Sequence, residues 1–238
     1  MIPCFNEEHR LPAAEIIGFL DTHPHASVCL VNDGSRDGTL AALERLRGQR
    51  PDQVLVCNLD GNRGKAEAVR LGVLHAASVA GADLIGFWDA DLSTPLDEVD
   101  RLVEPLIADP RCQLSLGSRV KRLGSRIDRH LSRHVLGRIF AACASALLGL
   151  SVYDSQCGAK VFRAAAVGVL FDEPFITRWL FDLEMLMRLR NRLGKAGMET
   201  TTEVPLKRWR EVRGSKLSLR DMVVVPIELL RIRAHYNG

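Results

Sequence analysis

The sequence has no long apolar run and no cysteine pairing pattern. None of its 238 residues falls within an apolar stretch of the roughly 18 residues that suggest a membrane-spanning helix, and we expect no signal peptide. The six cysteines are scattered without a Cys-x-x-Cys pair, which predicts small buried thiols in a reducing compartment rather than a disulfide framework. With 47% hydrophobic and 26% charged residues, we expect one globular cytoplasmic domain spanning residues 1–238.

The net charge of +3 conceals a basic segment, residues 119–138, that we call the basic band. Its seven cations are opposed only by Asp128, so the band carries a local +6 and the rest of the chain about −3; they are Arg119, Lys121, Arg122, Arg126, Arg129, Arg133 and Arg138. Such density indicates a phosphate, a membrane surface or nucleic acid as partner, or else a solvated helix face. Because no aromatic side chains for base stacking lie among the cations, we expect no nucleic acid partner.

Short β-like runs alternate with helical patterns through the first half of the chain. Strands are predicted at 2–5, 27–32, 53–58, 84–88 and 113–116, and helices at 13–22, 37–47, 65–80 and 96–108. This rhythm predicts an α/β protein with a mostly parallel sheet buried on both faces. The second half predicts a helix at 129–150, a turn into a strand within 154–163, a helix at 182–193, a strand at 199–205, a polar loop to Lys216 and a helix at 219–233.

Polar motifs stand at the ends of three predicted strands, where ligands bind in parallel sheets. These are Asn6-Glu7-Glu8, Asp33-Gly34-Ser35 and Asp89-Ala90-Asp91. Two carboxylates at i and i+2 suit Mg²⁺ or Mn²⁺, which prefer carboxylate and phosphate oxygens. The last motif therefore predicts a metal-bridged diphosphate, with a solvated turn as the alternative.

Six positions have two interpretations each. Asp33 either accepts the imide N–H of a uracil ring or caps a helix, and Lys65 either binds phosphate at a helix N-terminus or lies in an exposed turn. Asp182 and Glu184 either bind sugar hydroxyls or orient the acceptor, or else they cap their helix. Glu7, like Glu8, either caps the first helix or binds ribose.

In their order along the chain, these motifs resemble the family 2 glycosyltransferases of the GT-A fold. The similar segments are Ile2–Glu8, Val31–Ser35, Asn62–Lys65 and Asp89–Asp91. Three later segments are similar to the branch of dolichyl- or polyprenyl-phosphate glucosyltransferases, namely Asp154–Lys160, Trp179–Glu184 and Trp209–Lys216. The resemblance implies a Rossmann-like three-layer fold with a nucleotide-binding half, 1–119, and an acceptor-binding, membrane-facing half with amphipathic C-terminal helices, 120–238.

The resemblance also implies roles for individual residues. The nucleotide-sugar set is Pro3, Phe5, Glu7, Val31, Asp33, Lys65, Asp89, Ala90, Arg210 and Lys216. The catalytic set is Asp91, Arg119 and Asp182, with Asp91 as the principal metal ligand and Asp89 in support; the acceptor set is Arg126, Arg129, Arg133, Gln156 and Lys160. Ser93 and Ala159 depart from related sequences, in which glutamine and phenylalanine are common.

The implied activity is metal-dependent, inverting transfer of a hexose, with glucose expected, from UDP-glucose to a polyprenyl or dolichyl phosphate. We expect peripheral binding at the cytoplasmic face of a membrane. Three alternatives stay open: a polyprenyl-phosphate mannosyltransferase using GDP-mannose, a glycosyltransferase with a non-lipid acceptor and a carboxylate base, and a silent sugar-nucleotide-binding module.

Overall fold

The computed structural model of the protein describes residues 1–79, 81–128, 131–212 and 219–237. The strands are β1 Ile2–Cys4, β2 Val28–Asn32, β3 Val54–Asn58, β4 Leu84–Trp88, β5 Leu114–Ser118, β6 Arg126–Asp128, β7 Ala159–Arg163, β8 Thr201–Pro205 and β9 Arg208–Arg210. The helices are α1 Ala13–Thr22, α2 Thr39–Gln49, α3 Lys65–Val79, α4 Val99–Ala108, α5 Leu131–Leu148, α6 Val167–Phe171, α7 Phe181–Glu199 and α8 Leu219–Tyr236. Short 3₁₀ turns precede α4 and α6, at Leu96–Glu98 and Ala164–Ala166.

The strands form one continuous layer, in which the first three strands are parallel. β1, β2 and β3 pair in parallel, with Cys4 opposite Asn32 at the ends of β1 and β2. The nitrogen of Met1 donates to the Gly86 carbonyl at 2.7 Å, and Trp88 N–H donates to the Met1 carbonyl at 3.0 Å. These bonds join β1 to β4, so the order runs β3-β2-β1-β4-β7-β5-β8, in which β7 is antiparallel to both neighbours.

Alternating side chains bury both faces of this layer. Val28 and Leu30 of β2 pack in a core with α1, α2 and α4, whereas Val31 packs against α3. Phe87 likewise joins a third cluster that includes α5, α6, α7 and α8. Because successive strand residues point to opposite faces, helices on both sides complete three layers, which confirms the predicted fold class.

The second half departs from expectation in small elements. The segment predicted as a polar loop contains β9, which pairs in parallel with β6, and α6 was not predicted. β6 and β9 have three residues each, which is too few to show the alternation of side chains along a strand. The helix predicted to end at Leu193 has a break at Gly194, with φ of 65°, and continues to Glu199.

The cysteines and the apolar character of the helices follow from the composition of the chain. All six cysteines are free thiols, and four are buried; Cys57 is half-buried and Cys143 is exposed. Within the described ranges, no helix has the length and apolar character needed to cross a membrane.

Candidate active site

The loops after β1 and β2 are bonded into one unit at the edge of the sheet. Asp33 N–H donates to the Cys4 carbonyl at 2.9 Å, and Asn6 N–H donates to Ser35 Oγ at 3.0 Å. Glu7 N–H donates to Thr39 Oγ1 at 2.8 Å. The first two predicted motifs therefore meet, as the parallel register requires.

The two glutamates of the first motif have different environments. Glu7 is buried, and its carboxylate pairs with Arg10 at 3.1 Å. Glu8 accepts the N–H of Gly38 at 2.9 Å, which satisfies an unpaired donor at the start of α2. The interpretation that Glu8 caps the first helix is wrong, since it caps the second.

Asp33 fastens the segment before α3 to the end of β2. Its buried carboxylate accepts hydrogen bonds from Asn62 Nδ2 at 3.0 Å, Arg63 N–H at 2.6 Å and Gly64 N–H at 3.1 Å. Burial raises the pKa of Asp33, although the N–H donors oppose this shift. Gly34 permits the close approach, with φ of +60° and a Cβ position 2.3 Å from Asn62 N. A carboxylate has about four acceptor positions, so one remains for a ligand.

Lys65 and Asp89 join the third motif to the start of α3. Lys65 Nζ lies 2.6 Å from Asp89 Oδ1, and Asp89 N–H donates to the Gly158 carbonyl at 2.9 Å. Burial alone would lower the pKa of Lys65, but Asp89 and Asp182 outweigh it and raise the pKa. The alternative of an exposed turn fails for Lys65, because its ammonium is engaged in the site.

Asp91 is the exposed carboxylate of the motif. Its Oδ1 accepts Ser93 N–H at 2.9 Å, and the intervening Leu92 has φ of +45°, a strained conformation of the kind found at functional sites. Among the described residues no group of three or more His, Cys, Asp or Glu is arranged to hold a metal. The oxygen donors of Asp91 suit a hard divalent ion, which would need most of its ligands from water or substrate phosphate.

Asp182 and Glu184 separate into two roles at the start of α7. Neither caps the helix, since Leu180 is the N-cap residue and no side chain bonds there. Glu184 is fully buried and accepts the N–H groups of Ile176 and Thr177 at 3.0 and 2.9 Å, so it holds a loop. The Asp182 carboxylate lies 2.6 Å from Lys160 Nζ, and burial raises its pKa against the opposing effect of Lys160.

Arg119 is held beside the site by a carboxylate whose role the sequence did not reveal. Arg119 Nε and Nη2 each donate to Asp154 at 2.7 Å, a bidentate pair. The guanidinium also lies 5.5 Å from the centre of the Trp209 ring. Burial alone would lower the pKa of Arg119, but its hydrogen bonds to Asp154 raise it. Asp154 lies in a motif noted in the sequence, but nothing in that motif indicated its partner.

The backbone of Arg210 is bonded to the turn that carries Asp91. Its N–H donates to the Ser93 carbonyl at 3.0 Å, and its guanidinium is exposed. Lys216 lies outside the described residues, as does Arg129, and the side chain of Arg133 is likewise not described.

The remaining predicted residues are placed as follows. Val31 and Ala90 are buried, and Pro3 and Phe5 are half-buried near the strand ends. Arg126 is exposed in β6, and Gln156 is half-buried with no described partner for its Nε2. Lys160 is fully buried, so its predicted role in acceptor binding has no exposed ammonium to support it.

Sequence comparison assigns the chain to an enzyme family. The model of glycosyl transferase family 2 matches residues 1–171, and the chain belongs to that family. It is therefore a glycosyltransferase, as the resemblance implied.

Relatives and a solved structure extend the comparison. A dolichyl-phosphate beta-glucosyltransferase of Trichomonas vaginalis is 30% identical, with 100% of this chain and 73% of the relative covered. The enzyme of the same name from Drosophila melanogaster is 34% identical, over 92% of this chain and 68% of the relative. Glucosyl-3-phosphoglycerate synthase from Mycobacterium tuberculosis, solved with Mn²⁺, UDP-glucose and phosphoglyceric acid, has a TM-score of 0.66 at 21% identity, covering 98% of this chain and 78% of that one. This likeness confirms the fold.

Replacing Gly158 should disturb Asp89. A Cβ at position 158 would stand 2.0 Å from Asp89 Oδ2, so Gly158→Ala must displace the carboxylate from Lys65. We expect the free energy of unfolding, measured in urea, to fall by roughly 1–3 kcal/mol. Gly168→Ala is the matched control, since nothing lies within 4 Å of its Cβ position. Equal stability of Gly158→Ala and the unsubstituted protein would contradict this packing.

Proposed function

We propose that this protein transfers glucose from UDP-glucose to dolichyl phosphate or another polyprenyl phosphate, inverting the anomeric centre. The observation that carries the proposal is the meeting of Asp33, Lys65 with Asp89, and Asp91 at one edge of the sheet. The names of relatives aligned over nearly the whole chain support the sugar and the acceptor.

The donor would bind across the ends of β1, β2 and β4. The remaining acceptor position of Asp33 suits the imide N–H of uracil, a donor in the plane of the base. Lys65 stands at the start of α3, where backbone N–H groups also favour a diphosphate. Pro3, Phe5, Glu7, Val31 and Ala90 would complete the nucleotide pocket.

A divalent cation, Mg²⁺ or Mn²⁺, would be held by Asp91 with Asp89 in support. Asp91 is exposed, whereas Asp89 is already paired with Lys65, so we assign the principal contact to Asp91. When bound, the ion supplies positive charge that stabilises the departing nucleoside diphosphate.

Cationic side chains and the acceptor itself account for the remaining chemistry. Arg119, Arg210 and Lys216 are assigned to neutralise charge that develops on the diphosphate as the anomeric C–O bond breaks. The acceptor phosphate is anionic at pH 7, so its oxygen attacks without a general base and gives a β-linked product from an α-linked donor. We assign Asp182 to orient the acceptor or sugar, and Arg126, Arg129, Arg133 and Gln156 to bind the acceptor.

A donor and acceptor screen tests this assignment directly. We expect glycosyl-lipid to form from UDP-glucose and polyprenyl phosphate, and not from the free polyprenol, because an alcohol would need a base that the proposal omits. The product is measured by extraction of radiolabelled lipid. Transfer from GDP-mannose but not UDP-glucose would overturn the sugar assignment, and transfer to the free alcohol would overturn the acceptor assignment.

Loss of the Asp91 carboxylate should abolish metal-dependent turnover. We expect Asp91→Ala to lower kcat/KM by about 10²–10³-fold, comparable to removal of one preorganised electrostatic contact, and chelation by EDTA to do the same to the unsubstituted protein. Asp52→Ala, at an exposed site, is the control. Undiminished transfer in EDTA would rule out the metal.

The acceptor-binding half also offers a surface for a membrane, and we propose peripheral binding there, at the cytoplasmic face. Val224, Ile227 and Leu230 of α8 are 41%, 56% and 58% exposed and recur every third residue, as in a helix lying in the membrane interface. Arg231 and Arg233 are exposed on the same helix. Each basic residue near an anionic leaflet contributes about 1 kcal/mol to binding.

Vesicle binding should depend on the apolar residues of α8. We expect the double variant Ile227→Ser/Leu230→Ser to sediment less with vesicles rich in anionic phospholipid. Val79→Ser removes an equally exposed residue, 55% accessible on α3, and should leave binding unchanged. Equal binding by both variants would exclude α8 as the contact.

A further inference from the structure

We infer that Lys160 is a positioning residue for glucosyl transfer, which fixes the Asp182 carboxylate at the site without itself touching donor or acceptor. The inference rests on the proposed function, in which Asp182 orients the acceptor or sugar. It replaces the expectation that Lys160 binds the acceptor directly.

The location of Lys160 argues against direct contact with a substrate. It lies within β7, opposite Phe87 of β4 and Leu116 of β5, and is 0% exposed. Its Nζ donates to the Cys157 carbonyl at 2.6 Å and lies 2.6 Å from Asp182 Oδ1. Three sides of the ammonium are thus occupied by protein, since the Phe87 ring centre is 5.1 Å away.

Lys160 belongs to an alternating series of charges that we call the charged row: Asp89, Lys65, Asp182 and Lys160. The Asp89–Lys65 and Asp182–Lys160 pairs are each 2.6 Å apart, and the charge of Asp182 also helps to raise the pKa of Lys65. Lys160 and Asp182 are buried, whereas the side chains of Lys65 and Asp89 are 30% and 33% exposed. Because each charge has an opposite neighbour, the buried half of the row can stay ionised.

Two aromatic rings lie beneath the two cations of the row. Lys160 lies over Phe87, and Lys65 lies over Phe181 with its Nζ 6.0 Å from the ring centre. The two ring centres are 5.7 Å apart. This apolar surface strengthens the charge interactions above it, and it also makes any unpaired member of the row costly.

Asp182 therefore depends on Lys160 for its charge and direction. Asp182 is 6% exposed, and its Oδ1 lies 2.6 Å from the Lys160 ammonium, the one ion pair that its carboxylate makes among the described residues. Without Lys160, the carboxylate loses this anchor and turns toward Lys65 or becomes protonated. Misplacement of an orienting group lowers the rate of the chemical step more than the affinity for either substrate.

The test separates kcat from the KM of each substrate in Lys160→Met. We expect kcat to fall by about 10²-fold, with the KM values for UDP-glucose and polyprenyl phosphate changing by no more than about two-fold. Lys207→Met, at an exposed position, is the matched control and should match the unsubstituted protein. A large rise in the KM for polyprenyl phosphate at unchanged kcat would instead show that Lys160 binds the acceptor.

A double-mutant cycle keeps the test decisive if Lys160→Met alone fails to fold. Lys160→Met/Asp182→Asn removes both charges of the pair, a change that buried ion pairs often tolerate. If Lys160 acts through Asp182, the double variant should match Asp182→Asn in kcat within about two-fold. A further ten-fold fall, or full activity of Asp182→Asn, would overturn the inference.

Failure of the proposed function is a separate result. It would be seen in the unsubstituted protein, as no transfer of glucose to polyprenyl phosphate. The cycle would then be run with whichever donor and acceptor the unsubstituted protein uses, and the inference stands or falls on the ratios between variants.

Discussion

The ion pair between Lys65 and Asp89 is the contact on which the rest of the site depends. It joins the first residue of α3 to the residue after β4 at 2.6 Å, and so fixes one helix N-terminus against the central strands. Asp33 fastens the same helix from the other side by accepting Arg63 and Gly64 N–H groups. The start of α3 is thus held by two carboxylates from two different strands, at the end of the helix where N–H groups favour an anion.

The burial of charged side chains at this site lowers the stability of the fold. Lys160, Asp182 and Asp33 are all buried, and replacement of buried ion pairs by apolar residues is often neutral or stabilising. Phe87 and Phe181 intensify this cost, because they surround the charges with apolar surface. Buried charges that lower stability are expected at binding and catalytic sites. The density of buried charge here is therefore itself an argument for an active site.

Much of this site was predictable from sequence because strand ends converge by geometry. Nearly continuous apolar runs gave β2, β3 and β4 closely, and the carboxyl ends of parallel strands must share an edge. Asp33 and Asp89 were predicted as neighbours for that reason, whereas Lys65 was predicted from its place at a helix N-terminus and from the family resemblance. One alternative for Glu8, capping the first helix, failed because its carboxylate bonds Gly38 in the loop after the neighbouring strand, a contact that no local spacing reveals.

Lys160 and Asp154 show where prediction failed. β7 enters the sheet antiparallel, between β4 and β5, and a sequence period reports neither strand order nor direction. Only that order places Lys160 opposite Phe87 and beside Asp182. β6 and β9 escaped detection for a different reason, since three residues are too few to establish alternation.

The turn that carries Asp91 links the metal-binding carboxylate that we propose to the segment bearing Arg210. Ser93 N–H donates to Asp91 Oδ1, and the Ser93 carbonyl accepts Arg210 N–H. One residue thus bonds both the carboxylate of Asp91 and the backbone of Arg210. The Ser93 hydroxyl is a poorer metal ligand than the glutamine amide common at this position in related sequences. Its backbone nevertheless bonds both Asp91 and Arg210. Because both bonds are made by one residue, the backbone at Arg210 is fixed relative to the Asp91 carboxylate.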